Sequence, residues 1–199
     1  MEIQKYIQAI TDVAIANEAK LNALDAAIGD GDFGSNAVRG FKSIAEHIDA
    51  FTAESSIEAD LLMCGKQLMS QIGGSSGLLM GAAFIAMATS LKGKTSFSNQ
   101  DIANALQNAC NRISQLGKAK VGEKTMLDAL TPVVAALQNT QTTNLDFASA
   151  AKAAMTGAQS TVDMQPFKGR ASYLGERAIG HMDAGAFFVA LIFQRLNEI

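Results

Sequence analysis

The chain has 199 residues, of which 48% are hydrophobic and 18% charged, and it is rich in the helix-forming residues Ala, Leu, Met and Gln. This composition excludes a disordered chain and favours an all-α fold. The length favours a single domain, residues 1–199. The net charge of −3 gives no reason to expect a nucleic-acid partner. Because the longest apolar runs, near 78–88 and 184–193, are shorter than the roughly 20 residues that span a bilayer, and the first residues lack a signal-peptide pattern, we expect a cytoplasmic protein with no membrane partner.

Hydrophobic periodicity predicts eight helices and no strand. Isoleucines recur at helical spacing from the start of the chain, Ser98 and Asp101 form a capping-box pattern before the fifth helix, and Asn144 is a candidate N-cap for the seventh. The predicted helices extend from the chain start to about residue 22 and then over about 37–50, 57–70, 78–91, 99–117, 126–138, 145–162 and 185–197.

Glycine and charged residues are concentrated in four of the intervening loops, at 28–36, 73–77, 117–125 and 168–185. Long loops in a compact helical domain are usually functional or disordered. With an even number of helices, an up-and-down arrangement would let these loops gather at one end of the domain.

The first of these loops, "IGDGDFGSN" at 28–36, contains a literal G-x-G-x-x-G. A dinucleotide site is excluded because no strand precedes the loop and because aspartates would repel a pyrophosphate. A calcium loop of the EF-hand type that starts at Asp30 is also excluded, since Ser35 and Phe41 occupy the positions that require Gly and Glu.

Three carboxylates, Asp25, Asp30 and Asp32, remain within eight residues of one another. The alternating glycines allow the backbone to fold tightly and to aim Asp30 and Asp32 inward. A cation between the three groups would relieve their mutual repulsion, and Mg²⁺ prefers oxygen ligands that it shares with phosphates. A solvated acidic loop with Asx-turns explains the same spacing, so both interpretations stay open at this point.

Two other loops are candidate phosphate sites. "GGSSG" at 73–77 precedes a helix and would present backbone N–H groups to an anion, although a glycine-rich turn between two helices has the same pattern. The segment 167–185 is either a phosphate-binding loop or a polar surface loop with internal salt bridges, and its histidine is either a general acid or base or a structural residue. Its ionisable residues include Lys168, Arg170, Arg177, His181 and Asp183.

Four segments occur in the order found in the DhaL family, the nucleotide-binding subunits of bacterial dihydroxyacetone kinases. They read "GDGDFGSN", "GGSSG", "GKAKVGEKTMLDAL" and "KGRASYLGERAIGHMDAG", and the resemblance extends from about residue 21 to the C-terminus. The resemblance implies an eight-helix antiparallel barrel or bundle with the nucleotide in the loops at one end.

The resemblance also implies a set of site residues. Asp25, Asp30 and Asp32 would hold two Mg²⁺ ions and, together with Arg170, would make up the catalytic set. The residues expected to bind ADP or ATP are Phe33, Gly34, Ser35, Asn36, Ser75, Ser76, Gly122, Met126, Arg170, Asp183, Ala184 and Gly185.

By the same resemblance, the chain would act as one subunit of a kinase. A DhaM-type phosphocarrier would phosphorylate the bound ADP, and the γ-phosphate would pass to dihydroxyacetone held by a separate DhaK-type subunit. Two alternatives stay open: an ATP-dependent kinase subunit for another short ketose, and a nucleotide-loaded regulatory module that binds a transcription regulator.

The sequence departs from the family pattern at two positions. Phe33 stands where the family motif usually has His, and Ala184 stands where it usually has Pro. Phenylalanine has no hydrogen-bond donor for a phosphate or a partner, so we expect this change to affect transfer more than nucleotide binding.

Overall fold

The structure is a computed structural model that describes residues 2–51, 55–140, 145 and 147–199. Its helices are α1 (Glu2–Ile28), α2 (Phe33–Ala45), α3 (Ile57–Gln71), α4 (Gly74–Ser90), α5 (Asn99–Gly117), α6 (Leu127–Gln138), α7 (Phe147–Ser160) and α8 (Ala184–Leu196). Three 3₁₀ segments accompany them, Ile48–Ala50, Thr161–Asp163 and Arg170–Ala178. No strand occurs in the described part of the chain, which confirms the all-α prediction.

The helices form a closed ring. Each one packs against the next in sequence, and α8 packs against α1. Since neighbouring helices in the ring are also consecutive in sequence, they run antiparallel, as in other up-and-down helical proteins. The links at 29–32, 72–73, 118–126 and 161–183 therefore lie at the same end of the barrel, as the sequence predicted. Within the described ranges, no helix has the length and apolar character required to cross a membrane.

A row of aromatic rings leads from the core to this end. Phe41 and Phe188 are 1% and 2% exposed, and their ring centroids are 5.8 Å apart. Phe33, at the start of α2, packs edge-on against Phe188 at a centroid distance of 6.0 Å. Aromatic pairs at such distances are favourable beyond the area that they bury, so the first turn of α2 is anchored to α8.

The first predicted loop is shorter in the structure than expected. Helix α1 continues to Ile28 instead of ending near residue 22, because Leu21 and Ile28, 0% and 3% exposed, extend its buried face. Asp25 therefore lies on a helix. Helix α2 begins at Phe33 instead of residue 37, so that the loop is reduced to the four residues 29–32.

The segment "GGSSG" is also more helical than predicted. Helix α4 begins at Gly74, after the extended N-cap residue Gly73, instead of at residue 78. Gly77 lies so close to the carbonyl oxygen of Ile72 that an added Cβ would be 2.2 Å from it. Glycine is thus required at position 77 by close packing. The break between α3 and α4 is limited to residues 72–73, and the rest of the segment belongs to the first turn of α4.

Other helix ends agree with the predictions or differ for local reasons. The capping box of Ser98 and Asp101 is present at the start of α5, while the predicted N-cap of α7, Asn144, lies outside the described residues. The stretch between α7 and α8, which was expected to be irregular, contains the 3₁₀ segment Arg170–Ala178, with Gly175 at φ 55° inside it.

Candidate functional site

A cavity of about 410 Å³ lies at the barrel end where the four links meet. This volume is within the range typical of small-molecule sites. The predicted site residues that line it are Asp25, Asp30, Asp32, Phe33, Asn36, Ser75, Ser76, Met126, Arg170, Asp183, Ala184 and Gly185. Residues from all four links therefore meet in one cavity.

Two predicted residues at the start of α2 face α1 instead of the cavity. The hydroxyl of Ser35 donates to Glu18 Oε1 at 2.8 Å, and its backbone N–H donates to Asn22 Oδ1 at 3.0 Å. A Cβ on Gly34 would be 2.3 Å from the carbonyl oxygen of Glu18. These contacts hold α2 close to α1, and nucleotide binding by Gly34 and Ser35 stays a prediction.

The third predicted residue outside the cavity lining is Gly122. Its φ of 89° lies in the left-handed region, which glycine adopts readily. Its backbone N–H donates to Asp128 Oδ1 at 2.5 Å. Asp128 Oδ2 accepts a second bond from the N–H of Thr125 at 2.8 Å. The role of Gly122 in nucleotide binding stays a prediction, and Gly117 of the same loop does line the cavity.

The three aspartates form a compact acidic cluster. One carboxylate oxygen from each of Asp25, Asp30 and Asp32 lies within 4.8 Å of the others. Asp25 Oδ2 accepts backbone N–H bonds from Asp32 at 3.0 Å and from Phe33 at 3.3 Å. These bonds fold the four-residue link back over the end of α1, and Gly31, at φ 78°, makes the turn possible.

The electrostatics of the cluster suit a bound cation. Burial raises the pKa of Asp25, and the neighbouring charge of Asp30 raises it further, while the N–H bonds from Asp32 and Phe33 lower it. Three carboxylates at this spacing supply the hard oxygen ligands that Mg²⁺ prefers. The residues present therefore fit a divalent cation.

Arg170 brings positive charge to the same cluster. Its Nη2 is 3.1 Å from Asp30 Oδ2, and its side chain is 71% exposed. It is the first residue of the segment Arg170–Ala178, so the long link between α7 and α8 reaches across the cavity to the α1–α2 link. The guanidinium is thus available at the cavity for an anionic ligand as well.

Asp183 fixes the start of α8. Its Oδ1 accepts from the backbone N–H of Ala186 at 2.7 Å as an N-cap, and its own N–H donates to Thr161 Oγ1 at 3.0 Å. Burial raises the pKa of Asp183 to about 6; the charges of Asp128 and Asp25 add to this increase, and the bond from Ala186 opposes it.

Two cations in the cavity lining were not predicted from the sequence. Arg39 donates from Nε to the carbonyl of Gln71 at 2.7 Å and from Nη2 to Asn36 Oδ1. A helix that starts at Phe33 would have indicated it, because Arg39 follows Asn36 by three residues. Lys124 is 2% exposed and bonds to backbone carbonyls; no sequence signal distinguishes it from the solvated lysines of its loop.

His181 contributes through its backbone. Its side chain is exposed and is absent from the cavity lining, whereas its carbonyl accepts a bond from Lys124 Nζ. This geometry favours the structural interpretation of the histidine over a role as general acid or base.

Comparison with known proteins assigns the chain to a family. The sequence model of the DAK2 domain family matches residues 27–198, and the chain belongs to this family. The ADP-binding subunit DhaL of the PEP-dependent dihydroxyacetone kinase of Escherichia coli (strain K12) is 37% identical over 98% of this chain and 94% of its own length. The ADP-binding subunit DhaL of the PTS-dependent dihydroxyacetone kinase of Lactococcus lactis subsp. lactis (strain IL1403) is 38% identical over 92% of this chain and 88% of its own length. The predicted resemblance is thereby confirmed.

A solved structure has the same fold. The dihydroxyacetone kinase from C. freundii in complex with AMP-PNP and Mg²⁺ matches 98% of this chain with a TM-score of 0.81 and 28% identity. The present chain spans 33% of the C. freundii chain. The match confirms the eight-helix antiparallel architecture.

Proposed function

We propose that this protein is the nucleotide-binding subunit of a multi-subunit dihydroxyacetone kinase. It retains ADP and two Mg²⁺ ions, receives a phosphoryl group from a DhaM-type phosphocarrier and delivers it to dihydroxyacetone on a DhaK-type subunit. The observation that carries the proposal is the acidic cluster of three carboxylates within 4.8 Å, which lies in a cavity also lined by the first residues of the three helices α2, α4 and α8. Relatives named as ADP-binding DhaL subunits support it.

The chain supplies positioning and charge, which are the main requirements of phosphoryl transfer. Asp25, Asp30 and Asp32 would hold the metal ions, which when bound neutralise negative charge on the nucleotide phosphates. Ser75 and Ser76 lie in the first turn of α4, where free backbone N–H groups and the helix dipole favour an anion. Arg170 adds a guanidinium at the acidic cluster.

The surface around the cavity supports a protein partner. Large apolar side chains are exposed on the two long links at this end: Val121 is 53% exposed, Phe167 55%, Tyr173 86% and Ile179 44%. Exposed large apolar residues are frequent at protein interaction surfaces, and these four lie on the two links that also contribute residues to the cavity. A partner that docks there would bring its substrate to the cavity, and a cytoplasmic location is part of the same proposal.

Phe33 favours a second candidate function, a nucleotide-loaded regulatory module. Its ring lines the cavity, packs against Phe188 and offers no hydrogen bond to a phosphate. A protein with this residue would bind nucleotide through the acidic cluster and would transfer phosphate slowly.

The test is to purify the protein without added nucleotide and to analyse what denaturation releases. We expect ADP in near-stoichiometric amount. Absence of ADP together with rapid exchange of added ATP would contradict the cofactor model and would favour an ATP-dependent subunit for dihydroxyacetone or another short ketose. Retained ADP without transfer, measured with DhaM-type and DhaK-type subunits present, would favour the regulatory module.

A further inference from the structure

Lys124 has surroundings that are unusual for a lysine. Its side chain is 2% exposed, although lysine is almost never fully buried without a partner. Its φ of 60° lies in the left-handed region, which residues other than glycine seldom adopt. Among the residues that the structure describes, no carboxylate forms an ion pair with it.

Backbone carbonyl groups surround the ammonium instead. Lys124 Nζ donates to the carbonyl oxygens of Thr161 and His181, and the carbonyl of Val162 lies at 3.5 Å. An ammonium has three N–H donors, so each donor has a backbone acceptor. Burial lowers the pKa of Lys124, and the charges of Asp183, Asp163 and Asp128 raise it.

These carbonyls belong to both ends of the link between α7 and α8. Thr161 and Val162 directly follow α7, and His181 lies shortly before α8. Two further bonds join the same ends: Gly180 N–H donates to the Val162 carbonyl at 2.8 Å, and Asp183 N–H donates to Thr161 Oγ1 at 3.0 Å. Lys124, which comes from the α5–α6 link, thus places its ammonium at a junction of three chain segments.

The junction determines where α8 starts relative to the cavity. Asp183, Ala184 and Gly185 line the cavity, and the first N–H groups of a helix lack intrahelical partners and attract anions. Packing is close there, since a Cβ on Gly185 would be 3.2 Å from Asp183 Oδ1 and 3.5 Å from the Cβ of Met126. A small shift of the junction therefore changes the contacts available to a ligand.

We propose that Lys124 is a positioning residue that fixes the start of α8 against the cavity by binding the carbonyls at both ends of the 161–183 link. This inference rests on the proposed nucleotide-binding function. A neutral side chain at position 124 leaves the carbonyls of Thr161 and His181 without their donor, and the start of α8 then loses its fixed position.

The first test compares Lys124→Met, which keeps the length of the side chain and removes its donors, with the matched control Lys120→Met. Lys120 is exposed in the same loop and is absent from the cavity lining. In calorimetric titration with ADP and Mg²⁺, we expect Lys124→Met to bind ADP at least about tenfold more weakly than the wild type and Lys120→Met to bind it as tightly as the wild type. Circular dichroism should show that both variants are helical.

A rescue experiment separates the charge from the packing. Lys124→Ala leaves space for the propylammonium ion, which replaces the missing atoms and the charge. We expect propylammonium to restore most of the ADP affinity of this variant, and n-propanol, which has a similar volume, one donor instead of three and no charge, to restore little. Equal rescue by the two compounds would overturn the proposal, because neither the charge nor the set of three donors would then be needed.

A second variant keeps the inference testable if the lysine variants do not fold. Thr161→Val has nearly the same shape and removes the Oγ1 that accepts from Asp183, without creating a buried uncompensated charge. We expect severalfold weaker ADP binding by a folded protein. If the wild type does not bind ADP with Mg²⁺, the proposed function fails and this inference with it. If the wild type binds and a folded Lys124 variant binds ADP as tightly as the wild type, only the inference about Lys124 fails. If no Lys124 variant folds, wild-type affinity in Thr161→Val overturns the inference, because ADP binding then does not depend on a fixed junction at the start of α8.

Discussion

The two walls of the cavity compensate their charges in different ways. The acidic wall, made of Asp25, Asp30 and Asp32, places three carboxylates within 4.8 Å of one another, and its ion pair with Arg170 involves a side chain that is 71% exposed. The lysine wall is made of Lys124, Asp183 and the start of α8. Lys124 is 2% exposed, and its ammonium bonds to backbone carbonyls.

This difference gives the two walls different proposed roles: the acidic wall binds a cation, and the lysine wall positions the start of α8. The lysine wall is complete within the chain, because the Lys124 ammonium donates to carbonyls of the 161–183 link and the Asp183 carboxylate caps α8. The acidic wall has more negative charge than nearby positive charge, and it therefore favours an external cation. Metal removal should act mainly on the acidic wall, whereas substitutions in the lysine wall should act on nucleotide affinity whatever the identity of the divalent ion.

The largest effect is expected for Asp30→Ala, which removes one oxygen ligand from the acidic wall. Loss of groups that merely support metal ligands costs about 10–100-fold in affinity, so loss of a ligand should weaken Mg²⁺-dependent ADP retention by about 100-fold or more. Equilibrium dialysis with and without Mg²⁺ measures this. Asp12→Ala is the control, since Asp12 is an exposed carboxylate on α1, the helix that precedes the link containing Asp30. Normal ADP retention by Asp30→Ala would refute the metal assignment.

A smaller effect is expected at Phe33, whose ring joins the two walls by packing against Phe188. Phe33→His restores a donor at the position where the family usually has His. A hydrogen bond to a charged group corresponds to about tenfold or more in rate, so phosphate transfer to the substrate subunit should increase while ADP affinity changes little. Phe33→Leu, which removes the ring and adds no donor, should show no increase. An unchanged rate for Phe33→His would mean that Phe33 does not limit transfer.

Because Arg170 pairs with Asp30, removal of its charge should have opposite effects on metal binding and on ADP binding. Arg170→Gln removes a cation that competes with metal at the acidic wall. Exposed ion pairs are worth about 0.2–1 kcal/mol, so binding of Mn²⁺ without nucleotide should become about two- to fivefold tighter, whereas ADP binding should weaken. Calorimetric titration measures both. Arg177→Gln, an exposed arginine in the same segment, should leave both unchanged, and weaker Mn²⁺ binding by Arg170→Gln would contradict this interpretation.

The last prediction concerns stability instead of ligand affinity, and it is a pH dependence in the lysine wall. The pKa of Asp183 is raised from 3.8 to about 6, so the folded protein holds a proton that the unfolded chain releases. The stabilisation from this group is fully present below pH 3.8 and is lost as the pH rises through about 6.

Asp183→Asn keeps an oxygen that can cap α8 and removes this titration. Its melting temperature should equal that of the wild type near pH 4 and should exceed it near pH 7. The measurement is thermal unfolding followed by circular dichroism across this range. Identical pH profiles for the two proteins would show that Asp183 does not titrate as described.

Much of the fold was accessible from the sequence because helical signals are local. The eight helices, the capping box at Ser98 and the convergence of four loops followed from periodicity, caps and an even number of elements. Helix boundaries near the site were less accessible: α1 and α2 extend into the glycine-containing loop because buried contacts stabilise helical turns where glycine and aspartate suggest a break.

The sequence by itself determined the acidic cluster, since Asp25, Asp30 and Asp32 are near neighbours in the chain and any tight turn brings them together. Only the tertiary structure decided the lysine wall. Lys124, Thr161 and His181 are distant in sequence, and whether a lysine becomes buried depends on carbonyl groups that two other links supply. Local spacing carries information about neighbouring residues, whereas burial and backbone acceptors are properties of the packed barrel.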